Sequence, residues 1–303
     1  MVGSTMSDGP PPNTAARAAP SAEGDRVLRA ITDDDNFRVI VAVTTRTVKG
    51  ALEAQEPSGN AARHFCDLVT GAVLIRETMS PAYRVQAILK GAGGAGMLVA
   101  DAHPNGLTRG LVQLGKGGDL ELGHGSTLQV MRSGPSGKTF RSVVEPPTNG
   151  AVAEALMAYL QHSEQVVSVI AMGTHVTDRG VEHAGGYVVQ LVPGASRGPL
   201  MIMTERLAAM PSIGELLADR RGDALALLDE LLYGMPYAQL DDTSVRYGCT
   251  CDEHAVLATL ATLPRSDIAE LASAEEPLEL SCDYCREAYR VPPAQLRGLL
   301  ATS

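Results

Sequence analysis

The spacing of apolar residues changes repeatedly along this chain, and each change marks an element. Phe37–Val43 is a short apolar run with β-branched residues, read as the strand that begins the ordered part. From Asn60 to Met79 the positions Ala62, Phe65, Cys66, Val69, Val73 and Leu74 recur at helical spacing, and Pro81 stops that helix. Tyr83–Leu89 alternates as a strand, and short strands with Gly/Pro turns continue to residue 144. Ala151–Gln161 returns to helical spacing, with Val152, Leu156, Tyr159 and Leu160 on one face. Strand patterns resume at Val166–Ala171 and Gly186–Val192. Helices interleaved with a mostly antiparallel sheet predict an α+β core.

After Pro193 the composition shifts. Leu200–Met210, Ile213–Leu217 and Ala224–Leu232 are short helical pieces rich in Leu, Met and Ala, punctuated by Gly and Pro. Each is too short to hold its helix without tertiary contact. They read as a helical linker packed on the core or, in a sharper reading, as a cover of low local stability. The tail beyond predicts a helix over Asp252–Leu263, a short helix at Ile268–Ala272, a strand at Leu278–Leu280 and a closing helix at Gln295–Leu300. The expected organisation is a disordered tail over 1–24, an α+β core over 25–195, a helical linker over 196–248 and a small domain over 249–303.

That last segment holds four of the five cysteines: Cys249 and Cys251, then Cys282 and Cys285 after 30 residues without one. Two close pairs separated by a medium loop supply the four thiolates of a tetrahedral soft-metal site. With no histidine near the second pair, sulfur-only coordination points to one zinc ion. Four thiolates leave no position for substrate, so such a site is normally structural. Oxidants nevertheless attack zinc-bound thiolates, and disulfide formation removes the ligands. On chemistry alone a permanent clamp and an oxidation-opened clamp both stand. The fifth cysteine, Cys66, lies on the apolar face of its helix and reads as a buried structural thiol, and His64 reads as a surface or edge residue.

Two glycine motifs fail their tests. Gly91-Ala92-Gly93-Gly94-Ala95-Gly96 follows a strand but opens no helix, which a dinucleotide fingerprint requires. Gly134–Thr139 ends like a phosphate loop, yet Arg132 stands where its first glycine belongs. Both read as turns. His162, His175 and His183 share no spacing with each other or with an acid, so nothing points to an enzyme. A dithiol oxidoreductase acting through Cys282 and Cys285 would need Cys282 at a helix N-terminus.

Composition narrows the rest. A net charge of −10 argues against a nucleic-acid partner, and no run approaches a membrane span. The tail carries nine acids against four basic residues, which disfavours a nucleic-acid-binding ribbon. Clustered thiols in a cysteine-poor chain fit a reducing, cytoplasmic setting.

The motifs together resemble the heat-shock protein 33 family. The most specific are Tyr247-Gly248-Cys249-Thr250-Cys251 and Cys282-Asp283-Tyr284-Cys285-Arg286-Glu287-Ala288-Tyr289, with a helix ending at Leu263-Pro264 between them. Upstream stand the Gly91–Gly96 turn, Leu107-Thr108-Arg109-Gly110, Tyr159 with Ser163-Glu164-Gln165, and Gly185-Gly186 with Gln190 and Pro193. The resemblance runs from about Asp25 to the end. It implies an ATP-independent chaperone, a holdase for unfolded client proteins, inactive while reduced and zinc-bound. It further implies disulfides Cys249–Cys251 and Cys282–Cys285 on oxidation, zinc release, linker unfolding and dimerisation. One departure stands out. The family's basic residue after the first pair is absent from Asp252-Glu253-His254-Ala255, leaving His254 as the one local cation to hold thiolates ionised. The rival reading is a zinc ribbon that recruits a fixed protein partner.

Overall fold

The computed structural model describes residues 24–94, 96–115, 118–147 and 151–301. The expected disordered tail lies outside the described residues except for Gly24. Ordered chain begins earlier than the apolar pattern suggested, with strand β1 (Asp25–Thr32) before β2 (Phe37–Val43). Helices α1 (Thr45–Gln55) and α2 (Gly59–Glu77) follow, then strands β3 (Arg84–Lys90), β4 (Gly96–Ala102), β5 (Leu107–Leu114), β6 (Thr127–Ser133) and β7 (Thr139–Val144). Helix α3 (Val152–Tyr159) leads to β8 (Ser168–Thr177) and β9 (Gly180–Leu191).

Remote carboxylates cap both long core helices. Asp25 accepts from the backbone N–H of Arg46 and Thr47 at 3.0 and 2.6 Å, satisfying first-turn donors of α1. Asp119 does the same for α2 through Ala61 N at 2.8 Å. Helix α2 is enclosed on nearly every side, so His64 is buried rather than at an edge (5% exposed), as is Cys66, whose thiol burial pushes up to about 12.

Three short helices then cross the opposite side: α4 (Arg197–Ala209), α5 (Ile213–Asp219) and α6 (Ala224–Leu231). The stretch expected to stay helical to residue 248 instead ends in a strand, β10 (Tyr237–Tyr247). Its Asp241 and Asp242 are poor strand formers, but cross-strand ion pairs hold them: Arg26 to Asp242 at 2.6 Å, and Arg29 to Asp241.

Ten strands form one sheet in the order β7-β6-β3-β4-β5-β10-β1-β2-β9-β8. Neighbours are antiparallel except β5 and β10, which join the two halves through a short parallel pairing, Arg246 with Leu107 and Tyr247 with Thr108. The expected α+β architecture is therefore present. On one face Val27, Ile40 and Ala42 pack against Phe65, Leu68 and Val69 of α2. On the other, Leu28, Val39, Val41 and Tyr187 are covered by Ile213, Leu217, Leu227 and Leu231 of α5 and α6. The tail adds α7 (Glu253–Leu260), α8 (Arg265–Ser273), the hairpin β11 (Leu278–Ser281) with β12 (Ala288–Val291), and α9 (Pro293–Ala301). Its own core is small, built around Leu260, Ala272, Val291 and Leu296.

Candidate metal centre

The first cysteine pair is placed by the sheet. Strand β10 ends beside β5, and Gly248 N donates to Thr108 O at 3.1 Å, so Cys249 emerges next to Arg109. A Cβ at residue 248 would stand 2.5 Å from Leu107 Cδ2, so a larger residue there would have to displace the end of that leucine side chain. Cys251 precedes α7, whose cap is Asp252 accepting from Ala255 N at 2.7 Å.

The second pair sits in the β11–β12 turn. Cys282 N donates to Glu287 O at 2.9 Å and Arg286 N to Cys282 O at 2.8 Å, with Arg286 in the left-handed region (φ 63°). No helix begins at Cys282, so the geometry a dithiol oxidoreductase needs is missing from this turn.

Folding brings the four sulfurs of Cys249, Cys251, Cys282 and Cys285 within 4.8 Å of one another, and none is bridged. Cys249 and Cys282 Sγ are 3.8 Å apart, Cys251 and Cys285 Sγ 3.3 Å. A tetrahedron with metal–sulfur bonds of about 2.3 Å has edges of roughly 3.8 Å. The donor set therefore fits one ion. His254 is exposed and outside the cluster, so it neither replaces a sulfur nor serves as the nearby cation.

That cation comes from the core. Arg109 Nη1 donates to Cys249 Sγ at 3.1 Å, and its guanidinium carbon lies 4.0 Å from the centroid of the Tyr284 ring. Its Nε donates to Asp101 Oδ2 at 3.0 Å. Asp101 is fully buried and also receives Arg84 Nε and Nη2, at 2.6 and 2.7 Å, with His103 Nε2 at 3.1 Å. Burial tends to raise the Cys249 thiol. The backbone N–H of Cys251 and the Arg109 guanidinium outweigh it and bring the thiol down to about 7, whereas burial keeps Cys251 and Cys285 raised.

More contacts seat the tail on the core. Gln55 Nε2 donates to the carbonyls of Asp283 and Tyr284, at 2.7 and 2.9 Å, and Gln86 Nε2 to the Tyr284 hydroxyl at 3.3 Å. The spacing of the cysteines revealed the cluster but not this seat, because Arg109 lies 140 residues before its sulfur. Its one sequence signal was membership in Leu107-Thr108-Arg109-Gly110. Among the described residues, no helix is long and apolar enough to cross a membrane.

A 33 kDa chaperonin of Thermus thermophilus is 31% identical over 91% of this chain and 86% of its own. Another from Syntrophotalea carbinolica is 29% identical over 91% of this chain and 99% of its own. The solved structure of a 33 kDa chaperonin, a heat shock protein 33 homolog from Thermotoga maritima, covers 92% of this chain and 98% of its own with a TM-score of 0.78. At 22% identity it bears on fold alone. Residues 25–292 match the family described as Hsp33 protein, and the chain belongs to that family.

Proposed function

We propose that this protein is an ATP-independent holdase for unfolded proteins, held inactive by a reduced, zinc-bound tail and activated by oxidation. One observation carries the reading: the cysteine cluster is rooted at the end of β10, directly after three helices that cover an apolar face of the sheet. The chaperonin names of the relatives point the same way. In this reading 25–195 is the core, 196–248 the linker region and 249–303 the switch, with β10 a fixed part of the sheet.

Cys249, Cys251, Cys282 and Cys285 hold Zn2+ as thiolates. The ion supplies the folding free energy that the small tail core lacks. Two thiolates and one peroxide, with two protons from solvent, give one disulfide and two waters as the O–O bond breaks. Two such steps give Cys249–Cys251 and Cys282–Cys285, and the oxidised sulfurs no longer hold the ion. Loss of the tail fold then releases α4–α6 from Leu28, Val39 and Val41, exposing apolar surface to clients in the cytoplasm. The activated chain dimerises.

The test is zinc release and suppression of client aggregation, before and after peroxide or hypochlorite with mild heat, with disulfides mapped by mass. Zinc loss that accompanies holdase activity, both reversed by reductant, supports the switch. Zinc retained with no effect on aggregation would leave a permanent clamp that serves a fixed protein partner.

A further inference from the structure

We infer that Arg109 is a latch that senses the charge on Cys249, holding the tail against the core only while that sulfur is a thiolate. The inference rests on the redox-switch reading and adds how the state of the cysteines reaches the core.

The argument begins with charge. Asp101 is completely buried and faces two permanent cations, Arg84 and Arg109, with His103 beside them. One carboxylate balances one guanidinium, so the core side of the joint carries a surplus positive charge. Arg109 is little exposed (13%), so water screens that surplus poorly. The anion that meets it is Cys249, at 3.1 Å. A charge-assisted hydrogen bond is roughly twice as strong as a neutral one, so the contact is strong only while the sulfur is ionised.

The geometry makes Arg109 selective. Asp101 holds Nε and fixes the guanidinium plane, leaving Nη1 for Cys249 and one flat face for Tyr284. Both tail contacts fall on the two cysteine knuckles, since Tyr284 lies between Cys282 and Cys285. When a two-electron peroxide oxidant takes Cys249 into a disulfide, the S–S bond forms, the O–O bond breaks, and two solvent protons complete two waters. The sulfur then carries no charge. Arg109 keeps Asp101 but loses its second counter-charge, and the favourable state of the joint becomes the open, hydrated one. Lysine cannot replace it, because an ammonium lacks the planar fork that bonds and stacks together.

The experiment uses the full chain, reduced and zinc-loaded, and follows hydrogen exchange at amides 249–251 and 282–285 together with zinc content. Arg109→Gln is expected to exchange about tenfold faster or more over both knuckles, with zinc still bound and no oxidant added. Arg109→Lys falls between it and the parent. Tyr284→Leu, which alters only the tail side of the stack, moves the same way, and it carries the test if Arg109→Gln disturbs the core strands β4 and β5. After oxidation the parent and Arg109→Gln are expected to exchange alike, because the thiolate acceptor is gone. A difference that persists unchanged in the oxidised state, or knuckles equally protected in all reduced variants, overturns the latch. Client aggregation is read in parallel. An oxidised parent that fails to protect clients sinks the holdase reading, while faster knuckle exchange in the variants still upholds the latch.

Discussion

The Gln55 side-chain amide donates to the Tyr284 carbonyl at 2.9 Å, tying the last turn of α1 to the second cysteine knuckle. The same side chain accepts from Val112 N at 2.8 Å and donates to the Asp283 carbonyl. It is buried, so its removal leaves one donor and two acceptors without partners. Gln55→Leu is expected to weaken docking by about 1–3 kcal/mol while the cysteine cluster keeps its ion. Zinc titration together with exchange at residues 282–285 checks this. Loss of zinc affinity in proportion to the loss of protection would show that the seat and the site are not separable.

The helices over the second apolar face are unequal. In α4 only Met203 is buried, and Leu200, Met201 and Ile202 are exposed. By contrast α5 is closed by a capping box between Ser212 and Glu215, and its Leu217 is fully buried under the sheet. Leu217→Ala is expected to destabilise the cover by about 2–5 kcal/mol and to give holdase activity without oxidant. Met201→Ser, at a position 64% exposed, is expected to leave the resting state unchanged. An aggregation assay on both reduced variants decides. Equal behaviour would mean that release of α5 is not what exposes the client surface.

What the sequence made legible was whatever has a period or a spacing. Helix α2 shows a 3.6-residue repeat in its large apolar residues, although the fold buries it almost all round, and the cysteine pairs show themselves because each pair of sulfurs is local. Elements defended from a distance were invisible. The donors of α1 are satisfied by Asp25, some twenty residues earlier, and β10 falls within the stretch expected to be a helical linker, its strand evident only once Arg26 and Arg29 are set against Asp242 and Asp241. The local sequence around Cys251 seemed to leave His254 as the cation of the site. That role falls to Arg109, which reaches the cluster only because β10 pairs in parallel with β5.

Asp101 sets an acid limit on the same joint. Burial alone would raise its carboxyl, but bonds from His103 and Arg84 overcome this and hold it well below the ordinary carboxylate range. A depressed native value means that the stabilisation is complete above the unfolded value of 3.8 and disappears as pH falls toward the native one. Asp101→Asn removes the buried carboxylate that Arg84 and Arg109 share, leaving Arg109 only the Cys249 sulfur, and is expected to cost about 3–5 kcal/mol at neutral pH. The gap between parent and variant should shrink as pH falls below about 4. Thermal unfolding across that range measures it, and a pH-independent gap would mean that the loss is one of packing.

Asp67 predicts the opposite slope. It stands on the wall of a cleft of about 700 Å³ between α2, the β8–β9 hairpin and the start of α5. Burial pushes its carboxyl up to about 6, and Arg63 offsets only part of that. Since the native value lies above the unfolded 3.8, the folded chain binds the proton more tightly than the unfolded one. The group is harmless when protonated and increasingly destabilising as pH rises from 3.8 through 6, with the full penalty in place above that. Asp67→Asn removes the charge and keeps the shape, so it is expected to stabilise the fold by about 1–3 kcal/mol at pH 8 and by nothing near pH 3. Denaturant unfolding at the two pH values tests it. An asparagine variant less stable than the parent at pH 8 would show that Asp67 is ionised and paired in the folded protein, and that the cleft holds a counter-charge there.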